Sequence, residues 1–258
     1  MSVSSKPTES TKKGGFVEFI RVIIEAVLIA LVIRTILFQP FNIPSSSMEP
    51  NLLIGDYLFI SKYSYGYSRH SFPFSPPLFS GRVWASEPKR GDVVVFKKPS
   101  DTNQDYIKRV IGLPGDRLQM INGIIHINGV AFKRELKQTR PEKEWSEQYQ
   151  RWYTYSGVSY YTETNPEGVS YLIREALGDR GENDNTREYV VPEGHYFMMG
   201  DNRDRSEDSR GDVGFVPFDN LEGRAEILFF SIEPQRQGGK LWQIPSRIRW
   251  SRIFNRIK

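Results

Sequence analysis

The sequence predicts a mostly β protein, an antiparallel sheet domain behind one N-terminal transmembrane helix. Three observations predict it. Phe16–Phe38 is apolar over a length that spans a bilayer, which takes about 20 residues. After it come short β-branched and aromatic runs bounded by Gly, Pro and Asn, two of them joined by Asn-Gly, the strongest short hairpin signal. No alternation of strand and helix patterns follows, which argues against a parallel sheet.

Taken in order, residues 1–14 are rich in Ser, Thr and Lys and read as a disordered cytoplasmic tail. Residues 15–38 read as the anchor. Arg21 and Glu25 stand four apart, the spacing of an ion pair on one helix face, and Arg34 sits where its side chain can snorkel. No A-x-A cleavage site follows, so the span reads as uncleaved. Lys6, Lys12 and Lys13 keep the N-terminus cytoplasmic by the positive-inside rule. Residues 39–246 then lie outside the cytoplasm as a β-rich domain. Pro40 and Pro44 stop the helix and keep the chain extended.

Strands are expected at Leu52–Ser61, which ends in the apolar run Tyr57–Ile60, and at Asp92–Phe96, Tyr106–Ile111, Leu118–Ile121, Ile124–Ile127, Tyr196–Met199 and Ala225–Ile232. Asn122-Gly123 joins one hairpin, and Asn128-Gly129 offers a second. Two stretches read as insertions. Tyr63–Trp84 is crowded with aromatics, and either packs on the β core or rests in the membrane interface. Residues 133–188 are polar with weak periodicity, with a short helix expected at Tyr171–Ala176. Residues 247–258 form a basic amphipathic tail: Trp250, Ile253, Phe254 and Ile257 fall on one helical stripe. Such a helix docks on the domain or lies on the membrane.

Composition narrows the chemistry. With no cysteine there is no thiol nucleophile, disulfide or thiolate metal site. The three histidines, His70, His126 and His195, show no H-E-x-x-H pattern, and neither a cofactor nor a metal is expected. A net charge of +4, interspersed along the chain, gives no basic stripe for nucleic acid.

Three segments carry candidate chemistry. Pro44-Ser45-Ser46-Ser47-Met48-Glu49-Pro50 is a serine cluster beyond the anchor, without a G-x-S-x-G elbow. A serine nucleophile needs a base, either histidine or a lysine held neutral by burial. Lys108 lies in the apolar run Tyr106–Ile111. One of Lys108 and Arg109 is expected to face inward, and the two-residue period does not say which. Gly200–Arg210 alternates acids and arginines, as in a hydrogen-bonded scaffold. A linear calcium loop fails there on spacing.

Together, P-S-S-S-M-E-P, R-G-D-V-V-V-F, Y-I-K-R-V-I-G-L-P-G-D and G-D-N-R-D-x-S-x-D-S-R, in that order behind an anchor, resemble the boxes of the bacterial type I signal peptidases. The resemblance runs from residue 16 to about 232, insertions aside. It implies a Ser–Lys serine endopeptidase of the inner membrane, cleaving exported preproteins after small residues of the A-x-A type. The catalytic domain would face the periplasm, beside the bilayer and the export machinery. By position, Ser47 matches the nucleophile and Lys108 the general base. Ser45 matches the second oxyanion donor and Ser206 the hydroxyl that orients the lysine. Asp208 and Arg210 match a structural ion pair. Ser46 departs from a common glycine, and the single span departs from relatives with two.

Ser47 lies nine residues past Phe38, at most about 30 Å of extended chain, so the implied site sits near the outer membrane face. A self-cleaving repressor-type protease, which shares the Ser–Lys fold, would carry a DNA-binding helix-turn-helix instead of residues 1–38. An inactive scaffold would have no reason to retain Ser45, Ser47, Lys108 and Ser206 together.

Overall fold

The computed structural model describes residues 12–72, 74–77, 79–146, 151–234 and 244–258. Among the described residues, helix α1 (Lys12–Ile36) is followed by fourteen strands. Seven form one sheet in the order β1-β2-β14-β3-β4-β12-β13. They are β1 (Phe38–Asn42), β2 (Asp56–Ser61), β3 (Val93–Lys98), β4 (Asp101–Gly112), β12 (His195–Met199), β13 (Val216–Pro217) and β14 (Leu221–Ser231). A four-stranded sheet joins β5 (Arg117–Ile121), β6 (Ile124–Ile127), β7 (Val130–Ala131) and β11 (Tyr189–Val190). A three-stranded sheet joins β8 (Lys133–Ser146), β9 (Arg151–Thr164) and β10 (Ser170–Glu175). Every pair of named strands is antiparallel, as expected.

Local chemistry accounts for these elements. Asn122-Gly123 and Asn128-Gly129 all take positive φ, the left-handed backbone of a tight hairpin turn. They close β5–β6 and β6–β7. Pro40 sits in edge strand β1, where its missing N–H costs no interior ladder bond. The run Val93-Val94-Val95-Phe96 does not alternate because both faces of β3 are covered. Val93 and Val95 pack with Met48, Leu52, Ile60 and Ile107, while Val94 and Phe96 pack with Val110, Tyr196 and Met198. This central position makes β4 a buried platform.

Several elements differ from expectation. Tyr171–Ala176 is not a helix: Ser170–Glu175 is strand β10, paired with β9. Tyr171 and Ile173 are buried between exposed Ser170 and Leu172, a two-residue alternation that suits a sheet. The 133–188 stretch is therefore largely a sheet of its own. The tail is not the expected helix either. A short turn of helix, α2 (Ile244–Arg247), ends where the tail begins, and within the tail there is only a 3₁₀ turn at Trp250–Arg252. Beyond Arg224 the β3 side of β14 is free, and the tail fills it: Ile248 bridges Ile232 and Arg256 bridges Ile227. The N–H groups of Arg249, Phe254 and Ile257 bond to β14 carbonyls, so the backbone is satisfied without a helix. Trp250 and Phe254 point to solvent, while Arg252 binds buried Asp56.

The aromatic stretch 63–84 divides. Tyr65 is buried and donates to Asp92, and Tyr67 donates to the Ile36 carbonyl at the end of α1. Tyr67, Phe72, Phe79, Val83 and Trp84 line an apolar pocket of about 480 Å³ against the last turns of α1. Of the expected tail 1–14, residues 1–11 lie outside the described residues, and Lys12 opens the helix. Helix α1 covers residues 15–36 of the expected anchor, whose last residue, Phe38, instead opens β1. Among the described residues no helix is long and apolar enough to cross a membrane. Glu18, Arg21, Glu25 and Arg34 interrupt α1, with Arg21 and Glu25 paired at 2.8 Å.

Candidate active site

Ser47 sits in the turn that leaves β1. Met48, fully buried in the core, pins this turn from below. From the other side, Asn202 donates its main-chain N–H to the Ser47 carbonyl at 3.1 Å and its side-chain amide to the Ser46 carbonyl at 3.0 Å. The Ser47 hydroxyl thus projects from a backbone held at three points, which limits how much order a reaction must still create there.

Lys108 Nζ donates to Ser47 Oγ at 2.5 Å. Lys108 pairs across the sheet with Val94 and shares its face with Val110. Burial disfavours the charged amine and pulls it down to about 8, although Asp208, Asp201 and Glu207 partly support the charge. An amine at about 8 is neutral in roughly a quarter of molecules at pH 7.5, against about one in a thousand for a free lysine. A neutral amine in this position can take the hydroxyl proton. Ser45 Oγ stands 3.3 Å from Ser47 Oγ.

Neighbouring Arg109 is equally buried. On the opposite face of β4 its guanidinium makes a bidentate pair with Asp201, at 2.8 and 2.7 Å, and lies 3.9 Å over the Tyr171 ring. Both cations are therefore inward, because β4 is covered on both faces. Asp201 also accepts from Asn51 at 2.7 Å. The Asp201–Asn202 step thus joins β4 to the nucleophile turn.

Asp208 and Arg210 form the expected pair, at 2.9 and 2.8 Å, with both side chains buried. Burial alone would raise the Asp208 carboxyl, but the Arg210 charge and hydrogen bonds outweigh it and hold it below the ordinary range. Asp208 also accepts from the Gly200 N–H at 3.1 Å. Ser206 is brought close to the turn but not into a hydrogen bond: its buried Oγ has no partner among the described residues.

Gly200 explains how these parts fit. A Cβ there would stand 2.2 Å from Ser206 Oγ and 2.5 Å from the Ser47 carbonyl, so no side chain is admissible. Pattern reading did not single out Gly200, Asp201 or Asn202 individually. Their roles depend on contacts with residues some 150 positions earlier. None of the three histidines bonds to Ser47. His70 pairs with Ser75, and His126 and His195 sit against nearby main-chain carbonyls.

The model of the signal peptidase family, peptidase S26, matches residues 16–230. The signal peptidase I of Rickettsia typhi (strain ATCC VR-144 / Wilmington) is 43% identical over 240 residues, 90% of this chain and 85% of that protein. That of Rickettsia conorii (strain ATCC VR-613 / Malish 7) is 44% identical over 214 residues, 80% and 76% of the two chains. A solved structure, a signal peptidase I from Enterococcus faecalis V583, is 28% identical and covers 54% of this chain and 97% of its own. Its TM-score is 0.31. The family match and the two relatives span most of the chain. It belongs to the signal peptidase family, peptidase S26, and is a serine peptidase of the signal peptidase I type.

Proposed function

We propose that the chain is a membrane-attached endopeptidase that removes signal peptides from exported preproteins, with Ser47 as nucleophile and Lys108 as general base. The observation that carries the reading is the 2.5 Å contact between a buried, easily neutralised amine and a serine hydroxyl on a clamped turn. Neutral Lys108 takes the Ser47 proton as Oγ attacks the scissile carbonyl carbon. The tetrahedral oxyanion is held by the Ser47 N–H and the Ser45 hydroxyl. As the intermediate collapses, the C–N bond breaks and Lys108 returns its proton to the leaving amine. Lys108 then takes a proton from water as it attacks the acyl carbon; when the C–Oγ bond breaks, Lys108 gives that proton to Ser47 Oγ and the acid product leaves. For Ser206 the role of orienting the Lys108 amine is carried over from the family resemblance; its buried Oγ has no hydrogen-bond partner among the described residues. Asp208–Arg210 fixes the loop behind it.

Helix α1 is the anchor in this reading. Its apolar side chains are exposed on all sides, as in a helix that lipid covers, and the Arg21–Glu25 pair offsets two of its charges. The N-terminus faces the cytoplasm of a bacterial inner membrane, and the β domain works on the periplasmic face. Preference for small residues at −1 and −3 is carried over from the family resemblance.

The test is cleavage of an A-x-A-bearing precursor by the full chain. Ser47→Ala and Lys108→Ala should abolish processing while the protein stays folded. Ser45→Ala should lower kcat by about 10²–10³ with little change in KM, because its hydroxyl acts in the transition state. Near-normal turnover in Lys108→Ala would remove the proposed base.

A further inference from the structure

Behind the catalytic loop three carboxylates converge. Glu175 ends β10, Asp184 lies in the loop that follows, and Asp204 is in the 3₁₀ turn Arg203–Arg205, two residues before Ser206. One oxygen of each lies within 4.8 Å of the others. Oxygens that share one calcium ion at about 2.4 Å can stand no more than about 4.8 Å apart, and the three meet that upper bound. Acids cluster on many protein surfaces without binding anything. This cluster differs because Glu175 is fully buried, and neither of its carboxylate oxygens has a hydrogen-bond partner among the described residues. A buried carboxylate without donors is expensive, and Glu175 aims into the group.

The charges of Arg203 and Arg210 act on Glu175 without a hydrogen bond to it among the described residues. Arg203 is committed to Glu163 in a bidentate pair, and Arg210 to Asp208. The other oxygens are oriented by backbone: Asp204 accepts from the Ala176 and Leu177 N–H groups at 2.7 and 2.8 Å, and Asp184 from the Gly181 N–H at 2.5 Å. Gly181 passes so close that a Cβ there would come 2.3 Å from Asp204 Oδ1. The group is a preformed cradle of hard oxygens with no histidine or sulfur in it.

We propose that Glu175, Asp184 and Asp204 bind a hard divalent cation, calcium by ligand type. The ion would tie β10 and its following loop to the segment carrying Asp201, Asn202, Ser206 and Asp208, and so stiffen the support of the Ser47 turn. It takes no part in the chemistry, and the proposal does not depend on the peptidase mechanism. No linear motif reveals the site, because its ligands come from three separate segments.

The experiment is thermal unfolding of the full chain in detergent, after chelation, against added calcium or magnesium. The melting temperature should rise saturably with calcium, by about 5–10 °C at a hundredfold excess over Kd, and less with magnesium. Glu175→Gln, nearly isosteric, should abolish the rise, while Glu182→Gln, on an exposed residue nearby, should keep it. Terbium luminescence should report one site that calcium displaces. If Glu175→Gln fails to fold, the terbium titration of the wild type decides alone. No saturable shift up to about 10 mM calcium, the weak end of protein calcium sites, would overturn the proposal. So would an equal shift in Glu175→Gln, or no displaceable terbium site.

Discussion

Two lysines of this protein share one electrostatic condition and differ in what they touch. Lys62 and Lys108 are both buried, and burial pulls both amines down to about 8. Around Lys108 the nearby charges that matter most are acidic, Asp208 and Asp201, and they work against the lowering. Around Lys62, Glu222 does the same, while Arg34 and Lys97 push further down. The decisive difference is the acceptor. Lys108 reaches the Ser47 hydroxyl, which has a proton to give. Lys62 donates to the Ser71 main-chain carbonyl at 2.5 Å, which has none. Lys62 lines a polar pocket of about 410 Å³ with Arg34, Lys97, Asp105 and Glu222, away from Ser47. A lowered amine is thus necessary for a lysine base but not sufficient. The nucleophile turn, clamped by Asn202, decides which lysine can serve.

The largest expected effect breaks the pair apart. Lys108→Met should cost at least the 10²–10⁴-fold typical of a general base, whereas Lys62→Met should stay within a few-fold of wild type. In the wild type, kcat/KM should rise with pH through about 8, as Lys108 loses its proton. A single-turnover cleavage assay across pH reads both. Equal losses in the two variants would mean that the amine's surroundings, and not its partner, set the function.

The second effect concerns the other face of β4. Arg109 is buried like Lys108, but it is a guanidinium that stays charged and is paired with Asp201. Asp201→Asn leaves that cation uncompensated and should destabilise by about 3–5 kcal/mol, measured by denaturant unfolding. Because Asp201 adjoins Asn202, turnover should fall as well. An Asp201→Asn protein of wild-type stability would show that the pair is replaceable and that the clamp on Ser47 has another source.

How much of this was legible follows from which contacts are local. The hairpin at Asn122-Gly123 is written in two adjacent residues, and the apolar runs of β2, β3, β4, β12 and β14 announce themselves. Lys108 and Arg109 could not be separated by period, because alternation distinguishes in from out only for a strand with one wet face. Here both faces are dry. Tyr171–Ala176 was expected to be helical because the run is short and the alternation of buried Tyr171 and Ile173 is masked by apolar Leu172. The tail was expected to be helical because its stripe is real in sequence. The open side of β14 offered its backbone better partners. Ser45, Ser47, Lys108, Asp208 and Arg210 could be named by resemblance to a family. Gly200 and the Asp201–Arg109 pair depend on parts of the chain far apart in sequence, which no local pattern records.

The smallest expected effect sharpens the comparison in terms of stability. A lysine held at about 8 instead of its ordinary 10.5 costs roughly 3 kcal/mol when it is buried with its charge, at 1.36 kcal/mol per tenfold. Below pH 8 both folded and unfolded chains hold the proton, and that cost is present in full. Between pH 8 and 10.5 the unfolded chain holds more protons than the folded one, so wild-type stability rises with pH. Above 10.5 the cost is gone. Lys108→Met, which keeps the volume and removes the charge, should therefore be more stable than wild type at pH 7 by up to about 3 kcal/mol, and the gain should vanish by about pH 10.5. Lys62→Met should gain less over the same window. Its removal strips the Ser71 carbonyl of its donor and takes a positive neighbour from Glu222, whose carboxyl burial already raises and one of whose oxygens has no hydrogen bond among the described residues. The Ser47 hydroxyl, by contrast, can turn to Ser45 when Lys108 is gone. Urea unfolding of the three proteins from pH 6 to 10.5 separates these cases. A pH-independent difference between wild type and Lys108→Met would show that Lys108 is not held down by burial, and the proposed base would lose its physical ground.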